Sequence, residues 1–187
     1  MKQHILPALR LTLVSIVVFV GFYTLLIWGV AQAGPNKGRG ETVSVNNKVV
    51  GYKLEGQSFT ADKYFNSRPS AVGYNAAGSG GSNKGPSNPD YLKQVQDRVD
   101  SFLVHNPGVK KENIPAELVT ASGSGLDPDL SAAGALVQVA RIAKARNIAA
   151  DKISQLVDKQ TQKPLLGLMG TEKINILQLN IELDKLK

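Results

Sequence analysis

The stretch LTLVSIVVFVGFYTLLIWGVA, residues 11–31, holds no charged side chain in 21 positions, and its reading decides how the chain divides. At 1.5 Å rise per residue, a helix of this length spans about 31 Å, close to the roughly 30 Å hydrocarbon thickness of a bilayer. Tyr23 and Trp28 lie in its second half, Trp28 near the end where an interfacial anchor belongs. Ala31-Gln32-Ala33 has the A-x-A form of a signal-peptide cleavage site. However, the apolar run is longer than the 7–15 residues usual for a secretory h-region, so we read an uncleaved single-pass anchor.

Lys2 and Arg10 precede the run, and Lys37, Arg39 and Lys48 follow it. The charge count therefore does not set the orientation. A short inner stub with the domain outside is a common arrangement. We expect 1–10 as a short cytoplasmic N-terminus, 11–31 as the transmembrane helix, 32–40 as a connector and 41–187 as a soluble extracytoplasmic domain.

The 187 residues leave room for one domain of ordinary size beyond the anchor. There is no cysteine, which excludes disulfides, zinc–thiolate sites and thiol nucleophiles. The two histidines, His4 and His105, leave little material for a histidine metal site or a Ser-His-Asp triad. The formal charge is +7, but no acid occurs before Glu41, and beyond Lys2 and Arg10 there are 20 basic against 15 acidic residues. With 6% aromatics, this mildly basic mixture lacks the clustered cations and stacking residues of a nucleic-acid binder.

Beyond the connector, Thr42–Val45 and Val49–Leu54 read as strands joined by Asn46-Asn47, residues that tolerate positive φ. Phe59, Tyr64 and Phe65 supply aromatics for a small core. Residues 69–89 are Gly, Ser, Asn, Ala and Pro without an apolar period, so they read as loop. The loop ends at a helix start, with Asn88 as N-cap, Pro89 in the first turn and Asp90 against the helix dipole. Leu92, Val95, Val99, Phe102 and Leu103 then recur at helical spacing up to Asn106-Pro107-Gly108.

Ile114–Val119 reads as a short edge segment. Ser131 caps a helix running to about Asn147, with Leu136, Val139 and Ile142 on one face. Residues 150–159 form a further helix. Residues 177–184 alternate as L-Q-L-N-I-E-L-D, the period of a half-buried strand. A helix from Gln178 onward is the alternative, since Leu179, Leu183 and Leu186 are spaced for one. The class is α+β, one small sheet with about three helices.

Between Gly78 and Gly85 the loop reads G-S-G-G-S-N-K-G, near a P-loop. That motif needs glycine before its lysine and a hydroxyl after it. Asn83 and Gly85 stand there instead, no strand precedes the loop, and the helix starts too late to meet a phosphate at Lys84. Neither Ser82 nor Ser124 sits in a G-x-S-x-G elbow. Asp127 and Asp129 lack the spacing of a calcium loop, and helix capping accounts for Asp129. His105 near a helix end suits the helix dipole. Arg141, Lys144, Arg146 and Lys152 read as a solvated basic face. Arg68, extended before Pro69, is the better candidate for a specific ion pair or a partner contact. From the residues alone, this is a membrane-anchored domain without an assembled catalytic site, cofactor or metal.

Phe65-Asn66-Ser67-Arg68-Pro69-Ser70-Ala71, Tyr74-Asn75, Ser79-Gly80-Gly81-Ser82-Asn83 and Ser87-Asn88-Pro89 together resemble the signature run of the C subunit of the Kdp potassium-transporting ATPase. Pro115–Asp127, Val139–Asn147 and Ile174–Asn180 are similar to later blocks of that family, in the same order. The sequence departs from the commoner family form at Asp129 and Lys84, which argues against a fixed chemical role for either.

The resemblance implies a non-catalytic accessory subunit of an ATP-driven, high-affinity potassium-uptake complex in a prokaryotic plasma (inner) membrane. Its partners there would be a channel-like potassium-translocating subunit, a P-type ATPase subunit and a small stabilising subunit. It also implies a catalytic-chaperone role that raises the ATPase subunit's affinity for ATP. Arg68, Ser79, Gly80, Gly81, Ser82, Asn83, Asn88 and Asp127 are the expected partner-contact or loop-structuring residues, and Tyr23 and Trp28 the membrane anchors. The rival readings are an anchored or secreted solute-binding module and an enzyme.

Overall fold

The computed structural model describes residues 2–34 and 36–186; Met1 of the N-terminal stub, Pro35 of the connector and Lys187 lie outside the described residues. Residues Met1–Glu41 and Thr42–Lys187 form two compact units. The first is a helix, α1 (Lys2–Ser15) continuing through a π-type stretch, Ile16–Tyr23, into α2 (Thr24–Gln32). Over Gln3–Gln32 it is long and apolar enough to cross a membrane, and none of the apolar window is buried in protein. Its Leu, Val, Ile and Phe side chains, with Tyr23 and Trp28, project outward. Such a surface is stable only against lipid or another apolar face.

The second unit opens with an antiparallel hairpin, β1 (Thr42–Val45) and β2 (Lys48–Tyr52), bulged between Val43 and Ser44. Asn46 and Asn47 take φ of 49° and 61°, the double left-handed turn that matches strand twist. Helix α3 (Pro89–His105) starts as its sequence predicts, with the Asn88 side chain accepting from the Tyr91 N–H at 3.0 Å. Asn88→Ala should therefore lower domain stability by about 1 kcal/mol in a denaturant titration. A change below a few tenths would mean the loop holds the helix start without the cap.

The core is built by the later elements. Ser131 caps α4 (Ala132–Leu136), and α5 (Val139–Arg146) ends at Asn147 in the left-handed conformation that closes helices. Helix α6 (Ala150–Gln160) follows. The two-residue strands β3 (Asp129–Leu130) and β4 (Ile174–Asn175) pair antiparallel, and α7 (Ile176–Lys185) completes the domain. Phe65, Leu118, Leu130, Val139, Ile142, Ile153, Val157, Ile174, Ile176, Leu179 and Leu183 pack into one cluster, with Phe59, Tyr64 and Phe102 against it. Full burial of each large side chain contributes about 1.5–3 kcal/mol before entropy is counted.

The fold class is α+β, as the pattern of segments predicts, with two separate two-stranded sheets and local differences that have physical causes. The alternating C-terminal segment is a helix. Asn175 caps it by accepting from the Gln178 N–H at 3.0 Å, and its buried residues are Ile176, Leu177, Leu179, Asn180 and Leu183, a helical set. The helix expected over 132–147 is broken at Val137-Gln138, where the Gln138 N–H bonds the Ala135 carbonyl and the Gly134 carbonyl takes the fully buried Gln138 side-chain amide instead. The break turns Leu136 away from the core, leaving it exposed while Val139 and Ile142 are buried. Residues 114–119 form no edge strand but a 3-10 turn, Ala116–Leu118, that buries Leu118 and Val119.

A clasp of two glycine-serine loops

The loop 66–83 lies directly against 122–127. Arg68 Nη1 donates to Asp127 Oδ2 at 2.8 Å, so the extended arginine before Pro69 does make a specific ion pair. The other Asp127 oxygen accepts from the Asp129 N–H at 3.1 Å. Ser70 bridges the loops: its hydroxyl donates to the Gly125 carbonyl at 2.7 Å and accepts from the Val72 and Tyr74 N–H groups. The Ser122 N–H donates to the Pro69 carbonyl at 3.0 Å. The Ser124 carbonyl accepts both the Gly80 N–H, at 2.8 Å, and the Ser79 hydroxyl, at 2.9 Å. The Tyr74 hydroxyl closes the turn onto the Arg68 carbonyl at 2.7 Å. Burial pushes the pKa of this phenol up, with Arg98 opposing, which keeps the donor protonated.

Glycine is needed here for contact. A Cβ on Gly81 would stand 2.9 Å from the Gly123 carbonyl oxygen, and one on Gly56 would stand 2.4 Å from that of Asp127. Asn83 takes φ of 53°, which asparagine tolerates better than most residues. Ser82 and Lys84 line a pocket of about 310 Å³ with Ser70, Tyr91, Gln94 and Arg98. Of the residues singled out in the sequence, Arg68, Ser79, Gly80, Gly81 and Asp127 thus meet in one clasp, while Ser82, Asn83 and Asn88 lead from it into α3.

The side chains of Arg68 and Asp127 are 26% and 29% exposed, so solvent screens the pair only in part. A double-mutant cycle on Arg68→Ala and Asp127→Ala should return a coupling of about 1 kcal/mol. Strict additivity would show that backbone bonds alone hold the clasp.

The sequence did not expose a second polar centre. Arg141, read as part of a solvated face, is 7% exposed. Its Nε donates to Asn106 Oδ1 at 3.1 Å, Nη1 to the Asp62 carbonyl, and Nη2 to Asn66 Oδ1 at 2.9 Å and Gln138 Oε1 at 2.8 Å. Burial lowers its pKa from the ordinary arginine value and Asp62 opposes the shift. Gln138 also accepts from the Asn66 N–H at 2.8 Å and donates to the Gly134 carbonyl at 2.9 Å. Beside it, Asn180 accepts from the Phe65 N–H at 2.9 Å and donates to the Phe65 carbonyl at 3.0 Å, as a neighbouring strand would.

Arg146 is held as well, by Asp184 at 2.6 Å. The solvated-face reading therefore fails for both arginines, whereas Lys144 is exposed. Asp129 is not a helix cap: it lies in β3 and pairs with Lys173 at 2.8 Å, while Ser131 performs the capping. His105, at the end of α3, faces Asp62 at 2.8 Å. Among the described residues no group of three or more His, Asp or Glu could hold a metal ion.

Fold and clasp define a small α+β domain that follows a helix long and apolar enough to cross a membrane, with polar residues that brace its loops. The family model KdpC, described as K+-transporting ATPase, c chain, matches residues 5–185. The chain is 55% identical over 185 residues to the potassium-transporting ATPase KdpC subunit of Flavobacterium psychrophilum, covering 99% of this chain and all of that one. It is 52% identical over 188 residues to the KdpC subunit of Bacteroides fragilis, covering 99% and 98%, and 44% identical over 188 residues to that of Bacillus mycoides, covering 99% and 97%. The chain belongs to the KdpC family, the C subunits of potassium-transporting ATPases.

Proposed function

We propose that this subunit is needed to assemble the potassium-transporting complex and that it raises the affinity of the P-type ATPase subunit for ATP. The observation that carries the proposal is the family match, whose span, residues 5–185, takes in both the apolar helix and the domain. The clasp residues Arg68, Ser79, Gly80, Gly81, Ser82, Asn83, Asn88 and Asp127 then shape the face offered to a fellow subunit. Arg68 pairs with Asp127, and the Ser79 hydroxyl and Gly80 N–H both bond the Ser124 carbonyl, ties that suit a rigid docking surface. Tyr23 and Trp28 anchor the helix at the membrane interface.

The N-terminus is inside and the domain outside, so cytoplasmic ATP does not touch the domain. The effect on ATP affinity passes through membrane helices as a coupling between states of the assembly. The channel-like subunit, the ATPase subunit and a small stabilising subunit are the partners. Co-purification on the tagged chain should recover an ATPase partner, and its absence would overturn the assembly role. ATP titration of the complex with and without this subunit should show a lower KM when it is present. Protease added to intact cells should cut the domain, and protection would reverse the orientation.

A further inference from the structure

Between α6 and β4 the chain makes a narrow excursion. Gln162 pairs with Lys173 and Leu165 with Met169 in antiparallel bridges, and the Leu165 and Met169 backbones exchange two bonds of 3.0 Å. The turn is therefore ordered, yet it projects apolar side chains into solvent. Leu165 is 67% exposed, Leu166 82%, Leu168 88% and Met169 64%. Leu166 also takes φ of 55°, followed by Gly167 at 72°. A left-handed turn position is cheap for glycine or asparagine and strained for leucine. An exposed leucine kept in a strained backbone gains nothing for the folded domain, so its return must come from outside it.

The composition says what covers this tip. From Lys159 to Thr171 there is no acid, aromatic or arginine, only aliphatic side chains, Met169, and the polar flank with Lys159 and Lys163. Anchors at protein interfaces favour Trp, Tyr and Arg. An aliphatic apex with lysines behind it suits a bilayer surface, with the apex among acyl chains and the ammonium groups near headgroup phosphates. The same chain carries the membrane-spanning helix, and only nine residues, 33–41, separate its end at Gln32 from β1. Fully extended they reach about 30 Å, so the domain is held at high effective concentration beside the membrane.

We propose that residues 164–170 are a bilayer-inserting tip, a second and reversible membrane contact besides the helix. The proposal rests on the helix crossing the membrane and goes beyond the subunit role. Because the chain has no cysteine, single cysteines can be placed at Leu168, at the exposed Val104 of α3 and at Leu25 within the span. The full chain, labelled with an environment-sensitive fluorophore, is reconstituted in phosphatidylethanolamine–phosphatidylglycerol vesicles containing spin-labelled lipid.

The fluorophore at Leu168→Cys should lose at least half its emission to a shallow quencher, and that at Leu25→Cys to a deep one, while that at Val104→Cys stays bright. Quenching at Leu25 with none at Leu168 overturns the tip and leaves the span standing. Equal quenching at Val104 and Leu168 also overturns it, because the contact is then not made by the tip. If Leu25 itself is unquenched, the span and the tip fall together. In the assembled complex the Leu168 quenching should persist. Its replacement there by a crosslink to another subunit would make that protein the occupant and overturn a lipid contact.

Discussion

Arg141→Met should destabilise the domain by about 3–5 kcal/mol, because several acceptors at a largely buried site lose their donor together. The guanidinium of Arg141 spends its donors on Asn106, Asp62, Asn66 and Gln138. Methionine fills much of the volume but strips the Asn106 and Asn66 side-chain oxygens and the Asp62 carbonyl of their donor, while Gln138 Oε1 keeps the Asn66 N–H, and each unsatisfied group costs about 1–3 kcal/mol. The loss spreads along the chain, because Asn66 and Gln138 also bond each other and Asn66 follows Phe65 of the core. Thermal unfolding of the full chain should show a midpoint lowered by roughly 10 °C. Lys144→Met, at an exposed position of the same helix, should stay within about 0.5 kcal/mol of the parent. Equal effects at the two positions would show that Arg141 is not the keystone the geometry makes it.

That arginine marks where sequence reading ran out. Locally written features were legible: the uncharged run at 11–31, the Asn46-Asn47 turn, and the Asn88-Pro89-Asp90 helix start each depend on residues a few positions apart. The partners of Arg141 at Asp62, Asn66 and Asn106 come from 35 to 79 positions away, and no local pattern distinguishes a buried arginine from its exposed neighbour Lys144. Asn180 hides in the same way: it interrupts an otherwise apolar face, and only the edge of Phe65 explains it. The segment 177–184 carries both a two-residue and a helical spacing. The Asn175 cap and the burial of adjacent residues 176 and 177 decide for the helix. Arg68 was legible as a pairing residue because Pro69 fixes it extended, although Asp127 as its partner needed the fold.

Gly125→Val should separate the two loops of the clasp and with them, under the proposed function, the subunit from its complex. Gly125 takes φ of 69°, and a Cβ there would stand 2.6 Å from Val72 Cγ2, 2.8 Å from the Gly80 carbonyl oxygen and 3.3 Å from Ser70 Oγ. The left-handed backbone costs a non-glycine residue about 1–2 kcal/mol, and forcing extra atoms into a packed contact costs about 1–3 kcal/mol more. A Val72 rotamer can relieve one clash, but the Gly80 carbonyl is backbone and yields only if the loop moves. That displaces the Gly80 N–H from the Ser124 carbonyl and strains the Ser70 bridge to residue 125 itself. The hydrophobic core is built without Gly125, so the domain should remain folded while the face made by 68–83 and 122–127 changes shape. Gly123→Ala is the matched control: it is two residues away in the same loop, and its added Cβ meets nothing within 4 Å. Pull-down of the ATPase subunit on the tagged chain should fall at least tenfold for Gly125→Val and stay near the parent for Gly123→Ala, with growth at limiting potassium following the same order. Full recovery of the ATPase subunit with a folded Gly125→Val chain would remove the clasp from the docking surface and leave it a purely internal brace.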